Sequence, residues 1–161
     1  MDEGKKLKVL VVVRTFPIIT HSFIFNQITG LIDLGHDVSI FAMHVDEQKT
    51  EHSEIEKYKL RNRLYTLDNW GFNKWEKLGY VVKGGISLLI RKPMVVFRMM
   101  KQHIVGRCPL SLRSFCQINS VADLPEKDFD IIHAQLGPLG NDMMMLIELG
   151  VLKGKLITQF R

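Results

Sequence analysis

The chain is short of cysteine and of long apolar runs. Its 161 residues include two cysteines, Cys108 and Cys116, eight positions apart. No Cys-x-x-Cys pair results, so neither a disulfide framework nor a zinc site is indicated. Two reduced thiols in a cytoplasmic protein are the expectation, with no metal and no cofactor. The opening Met1-Asp2-Glu3-Gly4-Lys5-Lys6 leads into only about five consecutive apolar residues before Arg14, too few for the core of a signal peptide. No uninterrupted run reaches the ~18 apolar residues that a membrane-spanning helix needs. A glycine-rich phosphate loop is missing too. The turn after the first strand-like run is Arg14-Thr15-Phe16-Pro17-Ile18-Ile19. It has no Gly-x-Gly-x-x-Gly, which weighs against a nucleotide-binding dehydrogenase.

Acid is scarce in one region. Residues 74–113 hold nine basic residues, including Arg91, Lys92, Arg98 and Lys101, against the single acid Glu76. The whole chain nets only +5, so the remainder is net acidic. The same region is rich in Val, Ile, Leu, Met and Phe. A basic, amphipathic, helical stretch suits an anionic membrane surface. It equally suits surface helices that pack apolar faces on a sheet and solvate their lysines. Nucleic acid is not expected as a partner, because no recognition motif accompanies the charge and few aromatics interleave it.

The chain as a whole is 46% hydrophobic and 24% charged, an ordinary globular composition for a single domain. Residues 8–13 read as a buried parallel strand, continuous and β-branched. Residues 22–34 read as a helix on the spacing of Ile24, Ile28, Leu31 and Ile32, closed by Gly35. Residues 37–42 are a second strand, completing a βαβ unit with a right-handed crossover. Residues 43–60 read as a loop with a short helix near its end, and 63–67 as a short strand. Asp68-Asn69-Trp70-Gly71 then turns the chain. Helices are predicted over 73–90, over 93–104 (with Pro93 at the start) and over 111–120. A strand at 129–134, a helix at 139–149 ended by Gly150, and a strand at 155–160 follow. The pattern is an α/β fold with a parallel sheet.

In such a sheet, ligands bind beyond the carboxyl ends of the strands. That rule selects the candidates. His133 sits near the end of a strand, where a neutral imidazole can donate to or accept from a substrate hydroxyl; the alternative is a ring satisfied inside the sheet. Arg14 follows the first strand and could pair with a diphosphate or an acidic sugar, or simply be solvated. Phe16 lies in the turn. Thr20, His21 and Ser22 fall at a helix N-terminus, where free N–H groups favour anions and where Thr20 can cap. Gly137 and Gly140 allow close backbone approach before a helix. His36 reads as part of a helix-end turn.

Three segments together resemble one family. They are Phe16-Pro17 with Thr20-His21-Ser22-Phe23-Ile24, then Leu34-Gly35-His36-Asp37-Val38, then Asp130-Ile131-Ile132-His133-Ala134-Gln135-Leu136-Gly137. In order and spacing they resemble the amino-terminal half of GT-B glycosyltransferases, nearest to the retaining group 1 (family 4) enzymes of bacterial polysaccharide biosynthesis. The resemblance implies a Rossmann-like open parallel sheet with helices on both faces, forming one acceptor-side domain over residues 1–161. It implies transfer of a hexose-type sugar from a nucleotide-sugar to a glycan or lipid-linked acceptor. The donor is held mainly by a carboxy-terminal domain that this chain lacks, so the chain alone is expected to be inactive. It implies His133 as catalytic, with Arg14, Phe16, Thr20, His21, Ser22, Gln135 and Gly137 contacting substrate. The basic 74–113 region would face the inner surface of the plasma membrane. Two departures stand out: His21 replaces the family's Glu, and Gln135 its second His. Gln135 can hydrogen-bond a hydroxyl but cannot take up a proton near neutral pH. A non-catalytic membrane-surface module remains a further alternative.

Overall fold

Five parallel strands in the order β3-β2-β1-β4-β5 make one sheet in the computed structural model. It describes residues 5–17, 22–45, 53–67, 88–104, 112–122 and 124–160, with positions 79, 82, 85 and 86 between them. The strands are β1 (Lys8–Phe16), β2 (Asp37–Val45), β3 (Leu64–Thr66), β4 (Asp128–Ala134) and β5 (Lys153–Thr158). The helices are α1 (Ser22–Asp33), α2 (Ser53–Lys57), α3 (Pro93–Ile104), α4 (Leu112–Ala122) and α5 (Gly137–Glu148), and a 3-10 turn spans Leu60–Arg63.

β1 is central because it is apolar on both sides. Val9, Val11 and Val13 face α1, packing with Ile24, Phe25, Ile28 and Ile40. Leu10 and Val12 face the other way, into a larger core with Phe41, Val95, Met99, Ile118, Ile132, Met143 and Leu146. Helices therefore cover both faces, as the α/β reading requires. Each fully buried Leu or Ile contributes about 1.5–3 kcal/mol relative to an exposed one, and alternation along β1 supplies both cores from one strand.

Ends differ from the sequence expectation more than elements do. β1 runs to Phe16 and β2 to Val45, three residues past each predicted end. The two extend together, pairing Thr15 with His44 and Phe16 with Val45. Arg14 and Thr15 look like loop residues by composition, yet mutual pairing keeps them in the sheet. α5 starts at Gly137 rather than 139, and β5 occupies 153–158 rather than 155–160. Register decides the latter: Asp128 pairs with Lys153 and Ala134 with Thr158. α1 ends as expected, with Gly35 at φ 85° and Gly35 N–H bonded to the Ile32 carbonyl. His36 is structural, its Nδ1 accepting from Leu7 N–H at 3.4 Å. The predicted 73–90 helix lies largely outside the described residues; positions 79, 82, 85, 86 and 88–91 are helical. The predicted turn at 68–71 lies outside them altogether.

Candidate functional site

The strand order places a topological switch between β1 and β4. From β1 the chain passes to β2 on one side, and β4 lies on the other. At their carboxyl ends the two strands diverge into α1 and α5, opening the crevice that α/β sheets use for ligands. The Gln135 N–H donates to the Val12 carbonyl at 3.0 Å and continues β4 one residue toward that edge.

His133 pairs with Val11 across the sheet and is half-buried on the α1 side. α1 runs back antiparallel to the strands, so its early turns lie over the strand ends. There Gln27 reaches His133, its Nε2 lying 2.9 Å from the ring Nδ1. On its other side the Gln27 Oε1 accepts from Gln135 Nε2 at 2.6 Å. Gln135 is only 5% exposed. Three residues from two elements thus form one hydrogen-bonded chain. Burial lowers the His133 pKa from the ordinary histidine value, so the ring is neutral at pH 7.

Arg14 emerges on the opposite face. With Met43, His44, Leu67, Leu136, Pro138 and Leu139 it lines a cavity of about 100 Å³ beside the start of α5. α5 begins without a side-chain cap on its first turn and without an acid there. Its leading N–H groups and the exposed Arg14 guanidinium make this corner electropositive. Arg14 has no ion-pair partner among the described residues.

The other sequence candidates fall as follows. Phe16 is 2% exposed, with its ring centroid 5.1 Å from that of Phe25, so its side chain is part of the core under the crevice. Ser22 is the first residue of α1, at the same edge as His133. Thr20 and His21 lie outside the described residues, and so does the expected Thr20 cap. Gly137 opens α5, and a Cβ there would stand 2.9 Å from the Phe160 ring. A Cβ on Gly140 would collide with the Thr158 Oγ1 and lie 2.8 Å from its Cγ2. Close packing of α5 on β5 therefore accounts for Gly140, whereas the neighbour of Gly137 is the exposed Phe160 ring just past β5. The structure gathers His133, Gln135 and the start of α1 on one side of the edge, and Arg14 with the start of α5 on the other. Gln27 was missed: at a half-buried position between Ile24 and Ile28 it reads as an ordinary solvated helix residue, and its partners are more than 100 positions away. Among the described residues no group of three His, Cys, Asp or Glu is placed to hold a metal ion, and no helix is long and apolar enough to cross a membrane.

The chain is 31% identical over 145 residues to a protein named as the colanic acid biosynthesis glycosyltransferase WcaL of Escherichia coli, covering 90% of this chain and 35% of that protein. Its similarity to the Salmonella typhimurium protein of the same name is 30% over 154 residues, covering 96% and 37%. With the amylovoran biosynthesis glycosyltransferase AmsK of Erwinia amylovora it shares 29% over 149 residues, covering 90% and 35%. The chain is thus related to glycosyltransferases of polysaccharide biosynthesis, and spans about a third of the length of these curated relatives. No protein-family model matches it, and no solved structure does.

Proposed function

We propose that the chain forms the acceptor-side wall of a retaining GT-B glycosyltransferase that moves a sugar from a nucleotide-sugar to a glycan or lipid-linked acceptor. The observation that carries this reading is the switch-point crevice, with a neutral His133 at its edge, in a chain related to polysaccharide glycosyltransferases. The donor is held mainly by a second domain facing this edge. Arg14 and the first turn of α5 approach the diphosphate, while His133 and Gln135 orient the acceptor hydroxyl. Phe16 supports the crevice from below. In transfer with retention, the bond from the acceptor oxygen to the anomeric carbon forms on the face from which the diphosphate leaves. The acceptor's proton passes to the leaving phosphate oxygen, so no protein base is required. What this wall supplies is orientation, which can be worth about 7–11 kcal/mol of the barrier. The dehydrogenase alternative is not favoured: the turn after β1 carries no glycine fingerprint. The test is an assay of the whole protein with nucleotide-sugars and lipid-linked glycan acceptors. A glycan one sugar longer is expected; hydride transfer to a nicotinamide cofactor instead would overturn the reading.

Peripheral attachment to the inner leaflet belongs to the same proposal. α3 buries Val95 and Met99 but turns Phe97 (65% exposed) and Ile104 (83%) outward, with Met94 and Met100 beside them. Arg98 and Lys101 flank this face. An exposed apolar strip with basic flanks fits an anionic headgroup layer. In flotation with vesicles containing phosphatidylglycerol the protein should rise with the lipid, and Phe97→Asp should reduce the bound fraction severalfold. Equal flotation of the variant, or none by the parent, would contradict it.

A further inference from the structure

We propose that Gln27 is a positioning residue that holds His133 as the tautomer with its proton on Nε2, making the ring a hydrogen-bond donor to substrate. The inference rests on the reading of His133 as an acceptor-orienting group, and deepens it. The chain of hydrogen bonds begins at its buried end, with Gln135. Gln135, nearly sealed from solvent, uses its amide N–H to donate to Gln27 Oε1 at 2.6 Å. With Gln135 oriented as the donor, the Gln27 amide turns its carbonyl oxygen toward Gln135. Its carbonyl oxygen is occupied by Gln135, so its NH₂ group is the one 2.9 Å from His133 Nδ1. An amide NH₂ only donates. Nδ1 must therefore accept, and the single proton of a neutral imidazole is left on Nε2. A proton on Nδ1 would set two donors against each other in a half-buried place, a cost of about 1–3 kcal/mol.

The consequence reaches the reaction. Nε2 has no partner among the described residues. As Nε2–H it can donate to an oxygen of the acceptor or of the transferred sugar, but it cannot accept the acceptor's proton. Gln135, standing where relatives of the resembled family carry a second histidine, then has a defined task. It orients Gln27, and through Gln27 the catalytic ring. Nothing within either sequence segment connects these residues; β4 and α1 meet only because α1 folds back over the carboxyl edge.

The test is spectroscopic and independent of turnover. The protein is labelled with ¹⁵N-histidine, and the His133 signals are identified among the six histidines by their loss in His133→Gln. At pH 7.5 the ring should show Nε2 protonated and Nδ1 as acceptor, with that tautomer at least about fivefold in excess, the population expected of a donor clash. In Gln27→Glu the carboxylate can only accept, so the proton should move to Nδ1. In Gln27→Leu the two tautomers should become comparable, with the other five histidine signals unmoved as a check on folding. A dominant Nδ1–H ring in the parent protein, or the same tautomer in parent and Gln27→Glu, would overturn the inference. If instead the tautomer responds as described while His133→Ala transfers sugar at the parental rate, the positioning role stands and the assignment of His133 to catalysis falls.

Discussion

The two ends of the sheet are finished differently. At the amino ends three ion pairs form among the described residues. Lys8 pairs with Glu126, Lys5 with Asp130 at 4.0 Å and Arg63 with Asp37 at 3.0 Å, while Tyr58 donates to Asp33. The Lys8 hydrogen bond raises the lysine pKa and lowers that of Glu126, as expected for groups satisfied by each other. The carboxyl ends carry no ion pair among the described residues. They present Arg14, two helix N-termini and a neutral histidine held by amides. A cavity larger than the one beside Arg14, about 570 Å³, is at the amino end, lined by Asp37, Lys57, Tyr58, Arg63 and Glu126 among others. Size alone would put the site there. The proposed site is at the other end, because charges already neutralised by neighbours have less to offer a ligand than groups left facing a crevice.

That contrast can be strained at several points. The largest effect on stability is expected from Gly140→Ala at the carboxyl end. The new methyl meets Thr158 on the neighbouring strand, so unfolding free energy should drop by about 1–3 kcal/mol, with partial recovery in Gly140→Ala/Thr158→Ala. Denaturant melts of the four proteins measure it; additive losses would show that the contact is not the cause. A smaller effect concerns acid. Burial lowers the His133 pKa in the folded state, so the unfolded chain takes the proton more readily. The corresponding stability is intact above the ordinary histidine value of about 6.5 and is lost as pH falls below it toward the folded value. Melts at pH 7.5 and 5.5 should show a loss that His133→Gln diminishes. An identical loss in the variant would assign the acid sensitivity elsewhere.

Much of this architecture is legible in the residues. Val9–Val13, the Ile24/Ile28 spacing and Gly35 specify a strand, a helix and its end by local chemistry alone. Arg14 and Thr15 mislead, because the pairing of Thr15 with His44 and of Phe16 with Val45 carries the strand through them despite their polarity. The basic region shows a different limit. Its periodicity marks helices but not which face meets the core, and α3 leaves Phe97 and Ile104 outside. The candidate site is half legible: the positions of His133 and Arg14 at strand ends follow from the residues, whereas Gln27 depends on a contact across the fold.

The central claim is that the carboxyl edge is the working edge, and paired substitutions test it most directly. In the sugar-transfer assay of the whole protein, His133→Ala should lower kcat/KM by about 100-fold or more, the scale of a lost orienting contact. Arg63→Ala, which breaks an exposed pair at the amino end, should leave kcat/KM within about twofold and stability within about 1 kcal/mol. Parental transfer by His133→Ala alongside collapse in Arg63→Ala would place the site at the other end of the sheet.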